Sequence, residues 1–313
     1  MNDSGPVRFT IRAPATSGNM GAGFDCLALT LDLWNVMSVE LDGEGMSVEL
    51  QGEFTEHLPT DETNMIVHTM LRHLRQLQVP RPRGLKITCT NNIPPASGLG
   101  SSSSAQALGL MAAGAVAGRV LEGEELLRRL AILEGHADNA AAVALGGLVL
   151  VAGPGEDYIW RSYDIPQLTA VVVTPPSRYS TTQARALLPQ AVPLSDAVFN
   201  MGRVPLIMEA LRGGDLDLMR RVMTDKLHQR YRLALTPGAE EARAAALEAG
   251  AAGAVVSGSG PSLLAFVRNE EEARRVGEAM LEEYRVYELE AALRMVSTSN
   301  AAAGVIDASP AAD

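Results

Sequence analysis

One stretch organises this sequence: residues 91–117, which read NNIPPASGLGSSSSAQALGLMAAGAVA. A Pro-Pro turn is followed by a Gly-Leu-Gly segment (residues 98–100), four serines, and a run rich in Ala, Leu and Met. Glycine lets the backbone approach a ligand without a Cβ in the way. The serines stand where a helix would begin, so unpaired N–H groups and the positive end of the helix dipole would face one spot. The stretch therefore predicts a cradle for an anion, most often a phosphate.

Two familiar phosphate-binding motifs do not fit this stretch. A Walker A loop needs a lysine after its second glycine, and the only lysines, Lys86 and Lys226, lie elsewhere. A dinucleotide fingerprint needs G-x-G-x-x-G, and Ser103 replaces the third glycine. The residues alone leave a plainer alternative, a serine-capped helix preceded by a glycine turn. The serine hydroxyls could cap the helix, bind phosphate oxygens or face a metal ion.

Composition narrows the class of protein. A chain of 313 residues predicts one large or two ordinary domains, and 47% hydrophobic residues are enough for a stable core. The net charge of −11 argues against nucleic acid as a partner. Two cysteines, Cys26 and Cys89, make neither a disulfide framework nor a metal site.

Nothing in the sequence indicates a membrane or a secretory route. The N-terminus, MNDSGPVRFT, lacks the apolar segment of a signal peptide. The most apolar helical run, residues 105–117, is too short and too rich in glycine to span a bilayer. We therefore expect a cytoplasmic protein with no membrane partner. We also expect a homodimer.

Strand-like and helix-like segments alternate along the chain, which predicts an α+β fold. Separate strands are expected at residues 35–41 and 46–50, after an apolar segment at 27–33. Residues 160–166 look rich in turns, so a boundary there divides the chain into domains 1–165 and 166–313. The tail, residues 297–313, has few side chains to bury, and we expect it to be frayed.

The segment EGHADN, residues 134–139, places four functional side chains within six residues. One interpretation is a polar helix junction with Asp138 as the helix cap. The other brings the Glu134 carboxylate to a nucleotide phosphate, where Mg²⁺ usually takes one or two carboxylates plus phosphate oxygens. His136 alone is more typical of a structural hydrogen bond than of a general base, and one histidine does not support a zinc site.

Three further segments carry polar side chains for which the residues alone leave both a binding role and a structural role open. Asn19 and Asp25 lie in a glycine-rich loop that suggests a substrate pocket, although Asp25 could also be a cap. Arg185 and Arg232 could hold one carboxylate through paired N–H contacts, but most single arginines are surface residues and spacing does not show convergence. The segment Gly258-Ser259-Gly260 is, by itself, typical of a hairpin turn.

Together these segments resemble, in order, six motifs of the GHMP family of small-molecule kinases, and within that family the homoserine kinases. The motifs are NMGAGFD (residues 19–25), the loop at 94–104, EGHADN (134–139) followed by Gly146-Gly147, Thr181-x-x-x-Arg185, His228-x-x-Tyr231-Arg232, and SGSGPS (257–262). They span most of the chain. The sequence departs from the family pattern at three loop positions where proline is usual, Ala22, Ala142 and Arg230.

The resemblance implies a fold and a reaction. It implies two α+β domains, a ribosomal-protein-like N-terminal domain with a left-handed βαβ crossover and a ferredoxin-like C-terminal domain, with the site between them. It implies transfer of the γ-phosphoryl group of ATP to the hydroxyl of L-homoserine, with Mg²⁺, giving O-phospho-L-homoserine for threonine synthesis. The alternatives are another kinase of the family, such as mevalonate kinase, or a relative that binds small ligands without turnover.

The resemblance also implies roles for individual residues. Asn19 and Asp25 would bind the substrate amine, Asn139 its hydroxyl, and Thr181, Arg185 and Arg232 its carboxylate. Asp25 and His136 are the nearby candidates for a base, and we rank both below simple orientation. Ser102 and Glu134 would face Mg²⁺. The predicted ATP-binding residues are Asn64 near the adenine, the loop residues Pro94, Pro95, Ala96, Ser97, Gly98, Leu99, Gly100, Ser101, Ser102, Ser103 and Ser104, and the C-terminal glycine loop Gly258, Ser259 and Gly260.

Overall fold

The computed structural model describes residues 7–153 and 158–310, and within them strands and helices alternate. The predictions for residues 1–6 and 311–313 lie outside this range. The strands are β1 (Val7–Gly18), β2 (Leu27–Leu41), β3 (Gly45–Gly52), β4 (Gly84–Asn91), β5 (Leu148–Ala152), β6 (Ile159–Tyr163), β7 (Thr169–Thr174), β8 (Gly253–Val256), β9 (Leu263–Val267), β10 (Ala292–Ser299) and β11 (Gly304–Pro310). The helices are α1 (Met65–Gln76), α2 (Ser101–Val116), α3 (Gly123–Glu134), α4 (Asp138–Leu145), α5 (Thr181–Ala186), α6 (Leu194–Gly213), α7 (Leu216–Val222), α8 (Gln229–Leu233), α9 (Ala239–Glu248) and α10 (Glu270–Val286).

Strand β2 holds the two halves of the molecule together. It pairs antiparallel with β1, β4, β5 and β10, and the continuous strand order is β11-β1-β2-β10-β7-β9-β8. Its first five residues are all buried, whereas the rest mostly alternate between buried and partly exposed. The apolar segment at 27–33 and the strand predicted at 35–41 belong to this one strand. Its first half is covered on both faces, and only the second half shows the period of two.

The β3–α1–β4 segment is a parallel crossover, as the predicted βαβ unit requires. Helix α1 buries one face, with Ile66, Met70 and Leu74 at helical spacing. It lies very close to α2, since a Cβ on Gly109 would be 2.5 Å from the Ile66 carbonyl oxygen. The left hand of the crossover stays a prediction.

Three apolar cores support the sheet. The first lies between α1–α4 and strands β1, β2 and β4. The second lies under α6 and α7 and includes the buried ends of β1 and β2. The third packs α9 and α10 on β7–β9. In the described ranges, no helix is long and apolar enough to cross a bilayer.

Two local predictions were wrong. Residues 160–163, part of the segment 160–166 expected to be rich in turns, belong to β6, which pairs with β5. Most of the tail, expected to be frayed, continues β10 to Ser299 and then forms β11 on β1. Backbone hydrogen bonds join β11 to β1, while the side chains of Val305 and Ile306 stay exposed. The amino-acid composition of the tail therefore did not reveal this strand. The division of the chain into domains 1–165 and 166–313 stays a prediction. Strand β11 lies in the second of these ranges but pairs with β1 in the first.

Candidate active site

The phosphate-loop candidate begins where β4 ends and is fixed to β2. The amides of Asn92 and Ile93 both donate to Asn35 Oδ1, at 2.8 and 3.0 Å. Further along, the Ser97 hydroxyl donates to the Pro94 carbonyl at 2.7 Å. These bonds hold the turn in place before the glycines begin.

Helix α2 starts directly after the glycines and leaves donors free at its N-terminus. Gly100 is the N-cap, with φ of +68° and no side-chain cap. The Ser104 amide is the first to bond back, to the Gly100 carbonyl at 2.9 Å. The three preceding serines, residues 101–103, line a cavity, and their amides have no partner within the helix. This geometry suits an anion.

The C-terminal glycine loop packs directly against the phosphate-loop candidate. A Cβ on Gly98 would lie 2.2 Å from the Ser257 carbonyl oxygen. The Ser257 hydroxyl donates to the Gly98 carbonyl at 2.9 Å, and the Ser262 amide donates to Ser97. The two glycine segments, which are 160 residues apart in sequence, therefore form one surface that side chains would not allow.

Two cavities meet at this loop. One, of about 320 Å³, is mostly apolar and lies between β4, α1 and α2, with Asn64, Pro95 and Leu108 in its wall. The other, of about 340 Å³, is polar and contains most of the predicted substrate residues. They share four lining residues, Met65, Ala96, Ser101 and Ser102. The start of α2 therefore stands at the junction of an apolar pocket and a charged one.

Glu134, at the end of α3, reaches the serines of the loop. Its two carboxylate oxygens accept hydrogen bonds from Ser102 Oγ at 2.8 Å and Ser103 Oγ at 2.9 Å. His136 follows, with Nε2 at 3.7 Å from Glu134 and Nδ1 at 3.0 Å from Asp138. The hydrogen bond to Asp138 is the main cause of a raised His136 pKa, and the nearby carboxylates add to it against the effect of burial. His136 therefore holds a proton more readily than an ordinary histidine.

Asp138 lies in the same segment, residues 134–139, and the sequence analysis considered it only as a possible helix cap. It is fully buried on the first turn of α4, and Ala137 rather than Asp138 is the N-cap. Burial by itself would raise the pKa of Asp138, but the hydrogen bond and charge of His136 outweigh burial and lower it. Among the described residues, Asp138 Oδ2 has no hydrogen-bond partner. A buried charged oxygen without a partner is costly, which points to a ligand group.

Asp25 and Arg185 meet although 160 residues separate them. The two terminal guanidinium nitrogens of Arg185, Nη1 and Nη2, each donate to one Asp25 oxygen at 2.7 Å. This bond is the main cause of a raised Arg185 pKa. The Asp25 amide in turn donates to Asn19 Oδ1 at 2.8 Å. The pair ties the N-terminal loop to α5 across the polar cavity.

Arg232 approaches the same place from the opposite side. Arg232 is only 1% exposed, and its Nη1 donates to the Gly258 carbonyl at 2.7 Å. Arg185 and Arg232 both lie over the Phe24 ring, at 5.3 and 5.2 Å from its centre. Among the described residues, Arg232 Nε has no partner. The two arginines thus converge, which spacing alone could not show.

The remaining predicted residues divide into those that line the polar cavity and those that do not. Asn139 lines it and accepts a hydrogen bond from Thr16 Oγ1 at 2.8 Å. Thr181, Gly258 and Ser259 also line it. Leu99 is buried in the core, and the Ser104 hydroxyl, also buried, donates to the Ala13 carbonyl. Gly260 packs its Cα beside the Tyr179 hydroxyl.

Asn64 lies in the apolar cavity with its side chain already engaged. Its oxygen caps α1 by accepting from the Ile66 amide, and its amide group donates to the Pro59 carbonyl. It therefore shapes the pocket wall, and contact with an adenine stays a prediction. The sequence interpretation also missed Met65 and Tyr179, which line the polar cavity. Their position beside the predicted residues Asn64 and Ser180-Thr181 was the available signal.

The oxygen atoms of Ser102 and Glu134 form a candidate cation site. Among the described residues, no group of three or more His, Cys, Asp or Glu side chains could hold a metal by itself. One carboxylate, Glu134, and one hydroxyl, Ser102, lie 2.8 Å apart at the mouth of the anion cradle. A hard cation that takes one or two carboxylates plus phosphate oxygens fits this oxygen donor set.

Comparisons with known proteins show which family this chain resembles. The model of the GHMP kinases N terminal domain matches residues 64–147, and that of the GHMP kinases C terminal domain matches residues 207–286. A homoserine kinase of Desulfitobacterium hafniense is 37% identical over 95% of this chain and 99% of its own. The crystal structure of homoserine kinase from Cytophaga hutchinsonii has a TM-score of 0.82 at 31% identity, covering 96% and 97% of the two chains.

A third comparison bears on the fold alone. The crystal structure of L. major mevalonate kinase in complex with R-mevalonate has a TM-score of 0.71 at 17% identity, covering 94% of this chain and 96% of that one. The family models and the relatives of 37% and 31% identity confirm the family resemblance, and the structural comparisons confirm the two-domain α+β fold. This chain belongs to the GHMP kinase family and, within it, to the group that includes the curated homoserine kinases.

Proposed function

We propose that this protein transfers the γ-phosphoryl group of ATP to the side-chain hydroxyl of L-homoserine, giving O-phospho-L-homoserine. One observation carries the proposal: an apolar cavity and a polar cavity meet at the N-terminus of α2. A nucleotide in the first cavity would place its terminal phosphates at the free amides of residues 101–103. A small zwitterion in the second would have its hydroxyl beside those phosphates.

The charged residues of the polar cavity match an α-amino acid. Arg185 and Arg232 supply guanidinium groups for a carboxylate, with the paired N–H geometry that favours such ligands. Asp25 and Asp138 supply negative charge for an ammonium group. Asn139, fixed by Thr16, lines the same cavity as the serines and is our candidate for orienting the hydroxyl. The relatives named homoserine kinase support this choice of substrate.

The proposed chemistry relies on positioning rather than on a strong base. In the transfer, the bond between the γ-phosphorus and the bridging oxygen breaks, a bond from the substrate hydroxyl forms, and the hydroxyl proton is released. Both oxygens of Asp25 are engaged by Arg185. The two ring nitrogens of His136 face carboxylates, Nε2 that of Glu134 and Nδ1 that of Asp138, so neither residue is free to take that proton. Orientation and charge neutralisation would provide most of the catalysis.

Glu134 and Ser102 would hold Mg²⁺ beside the phosphates. Bound there, Mg²⁺ would neutralise charge on the phosphate oxygens. The amides at the start of α2 would hold the same oxygens from the other side. A role for the protein in threonine synthesis follows from the product, and the cytoplasmic location and the homodimer stay predictions.

A substrate panel tests the proposal. Purified protein with ATP and Mg²⁺ is assayed for ADP release with L-homoserine, mevalonate and no acceptor. We expect turnover with L-homoserine well above the other two. Preference for mevalonate would move the protein to another branch of the family, and no turnover with any acceptor would favour a binding protein without catalysis.

A further inference from the structure

Another cavity lies away from the proposed active site, in the groove between α1, α2 and α3. Its volume is about 280 Å³, close to the lower end of the range for small-ligand pockets, roughly 300–1,000 Å³. It shares no lining residue with the apolar cavity or the polar cavity that meet at the start of α2. A ligand in this cavity would therefore occupy a separate site.

Helical spacing on α1 and α3 forms the wall of this cavity. Four polar side chains share one face of α1, because they stand at positions i, i+3, i+4 and i+7: Thr69, Arg72, His73 and Gln76. Helix α3 contributes three side chains at i, i+3 and i+4: Arg129, Ile132 and Leu133. His73 is buried, and its Nδ1 lies 3.1 Å from Gln76 Oε1, so its ring is fixed in the wall.

The wall carries positive charge, although the chain as a whole has a net charge of −11. Two of its residues are arginines, and none of the described residues that line it is an Asp or a Glu. Arg129 and Arg119 share one carboxylate, that of Glu125, and no salt bridge among the described residues involves Arg72. Burial is the main reason that the His73 pKa is lowered, so the arginines supply the charge at pH 7. The cavity therefore favours an anion.

The rest of the wall is apolar and lies beside the arginines. Leu110 of α2 is buried, whereas Leu133 is partly buried and Ile132 is 58% exposed. A purely inorganic anion would leave this surface in water. An anion that also carries a short apolar chain would cover it, which is favourable. The wall therefore matches a ligand with one charged end and one apolar end.

We propose that this cavity is a second ligand site, which binds a small organic anion: a carboxylate or a phosphate ester whose oxygens contact Arg72 and Arg129 and whose short apolar chain lies against Ile132 and Leu133. Guanidinium groups suit both kinds of oxyanion, because their paired N–H groups match two oxygens at once. The inference goes beyond the proposed function and does not depend on it, because none of the residues proposed for phosphoryl transfer takes part.

Binding can be followed by NMR through the imidazole protons of His73, which are assigned by their loss in His73→Gln. The protein without nucleotide is titrated with three probes of one shape: 3-methylbutanoate, 3-methylbutyl phosphate and the uncharged 3-methylbutanamide. We expect a saturable shift with a dissociation constant of about 1–10 mM for at least one anion, as for other ligands of this size. The amide should bind at least about tenfold more weakly, because hydrogen bonds to a charged group are stronger. The tighter of the two anions tells whether the site prefers a carboxylate or a phosphate ester.

Matched variants test the contacts. Arg72→Gln should weaken the tighter anion about 3- to 5-fold, as for a partly exposed charge pair. Arg75→Gln removes the same charge from an exposed position on the same helix, outside the cavity wall, and should leave the affinity unchanged. Ile132→Ser should weaken the same anion about 3-fold through loss of apolar contact. Thermal unfolding checks that each variant is folded.

Four results would overturn the proposal. The first is no saturable shift of His73 with either anion. The second is equal affinity for the amide, which would show that charge is not recognised. The third is an equal effect of Arg72→Gln and Arg75→Gln, which would show only a general attraction of anions to the protein. The fourth is a shift of His136 without a shift of His73, which would place the probe in the polar cavity.

Discussion

His228 accepts a hydrogen bond from the buried guanidinium of Arg232, with 3.2 Å between its Nδ1 and Arg232 Nη1. Its other ring nitrogen, Nε2, lies 2.8 Å from the Gly21 carbonyl oxygen and donates to it. Only the neutral imidazole can accept at one nitrogen and donate at the other. Burial is the main reason that the His228 pKa is lowered to about 4, and the charge of Arg232 adds to it against the opposing effect of Asp225.

This contact predicts a loss of stability in acid. The pKa of His228 is 6.5 in the unfolded chain and about 4 in the folded one, so below pH 6.5 the unfolded state binds more protons. The free energy of unfolding should therefore fall between pH 6.5 and pH 4, by about 3 kcal/mol from this residue. Urea denaturation at four pH values in this range measures the change.

The variant His228→Asn separates this residue from all other titrating groups. Asparagine can still donate and accept hydrogen bonds but does not titrate. Its stability should be lower at pH 7.5, yet fall less steeply toward pH 4 than that of the wild type. Identical slopes for the two proteins would contradict a neutral His228 under Arg232.

The His136–Asp138 bond predicts a shift in a measurable pKa. The hydrogen bond to Asp138 is the largest cause of the raised His136 pKa, and the charge of Asp138 adds to it. Asp138→Asn should therefore lower the His136 pKa, seen by NMR titration of the imidazole protons. His73, whose lowered pKa comes mainly from burial, provides an internal reference that should not move. A His136 pKa that is the same in both proteins would show that the bond does not form in solution.

Glu134 offers a test of the cation site. Glu134→Gln keeps the hydrogen-bonding shape beside Ser102 and Ser103 but removes the charge. We expect kcat to fall on the order of 100-fold, because the cation that neutralises charge on the phosphate oxygens would be held less firmly. The Mg²⁺ concentration for half-maximal rate should rise in the same assay. Glu124→Gln, an exposed glutamate near the start of the same helix, is the matched control and should behave as wild type. Equal Mg²⁺ dependence in all three proteins would remove Glu134 from the site.

Gly98 tests the contact between the two glycine loops. Its φ is +83°, and a Cβ would lie 2.2 Å from the Ser257 carbonyl oxygen. Gly118 has a similar φ of +68° but open space around it. Gly118→Ala should cost about 1 kcal/mol of stability from backbone strain alone. Gly98→Ala should cost about 1–3 kcal/mol more, because the loops must separate. It should also weaken ATP-analogue binding, which Gly118→Ala should not do. Equal effects of the two changes on stability would mean that the loops are not in contact.

The predictions from sequence were most accurate for features that depend only on residues close together in the chain. A helix N-terminus is built from hydrogen bonds within four or five positions, so the Gly-Leu-Gly-Ser segment was enough to predict the start of α2 at Ser101. Strand β11 was missed because its bonds go to β1, about 300 residues away, and its exposed side chains leave no periodic pattern.

By itself, the sequence determined the family and predicted the anion cradle and the set of polar residues from which the site would be made. Only the tertiary structure decided how those residues combine: that Arg185 and Arg232 converge on Phe24, and that Arg185 is bound to Asp25. It also decided that Asp138 is a buried carboxylate with one oxygen that has no hydrogen-bond partner in the described part of the chain. The reason is physical. Sheet register and helix packing bring together side chains more than 200 positions apart, such as those of Phe24 and Arg232, and spacing along the chain carries no direct information about such distances.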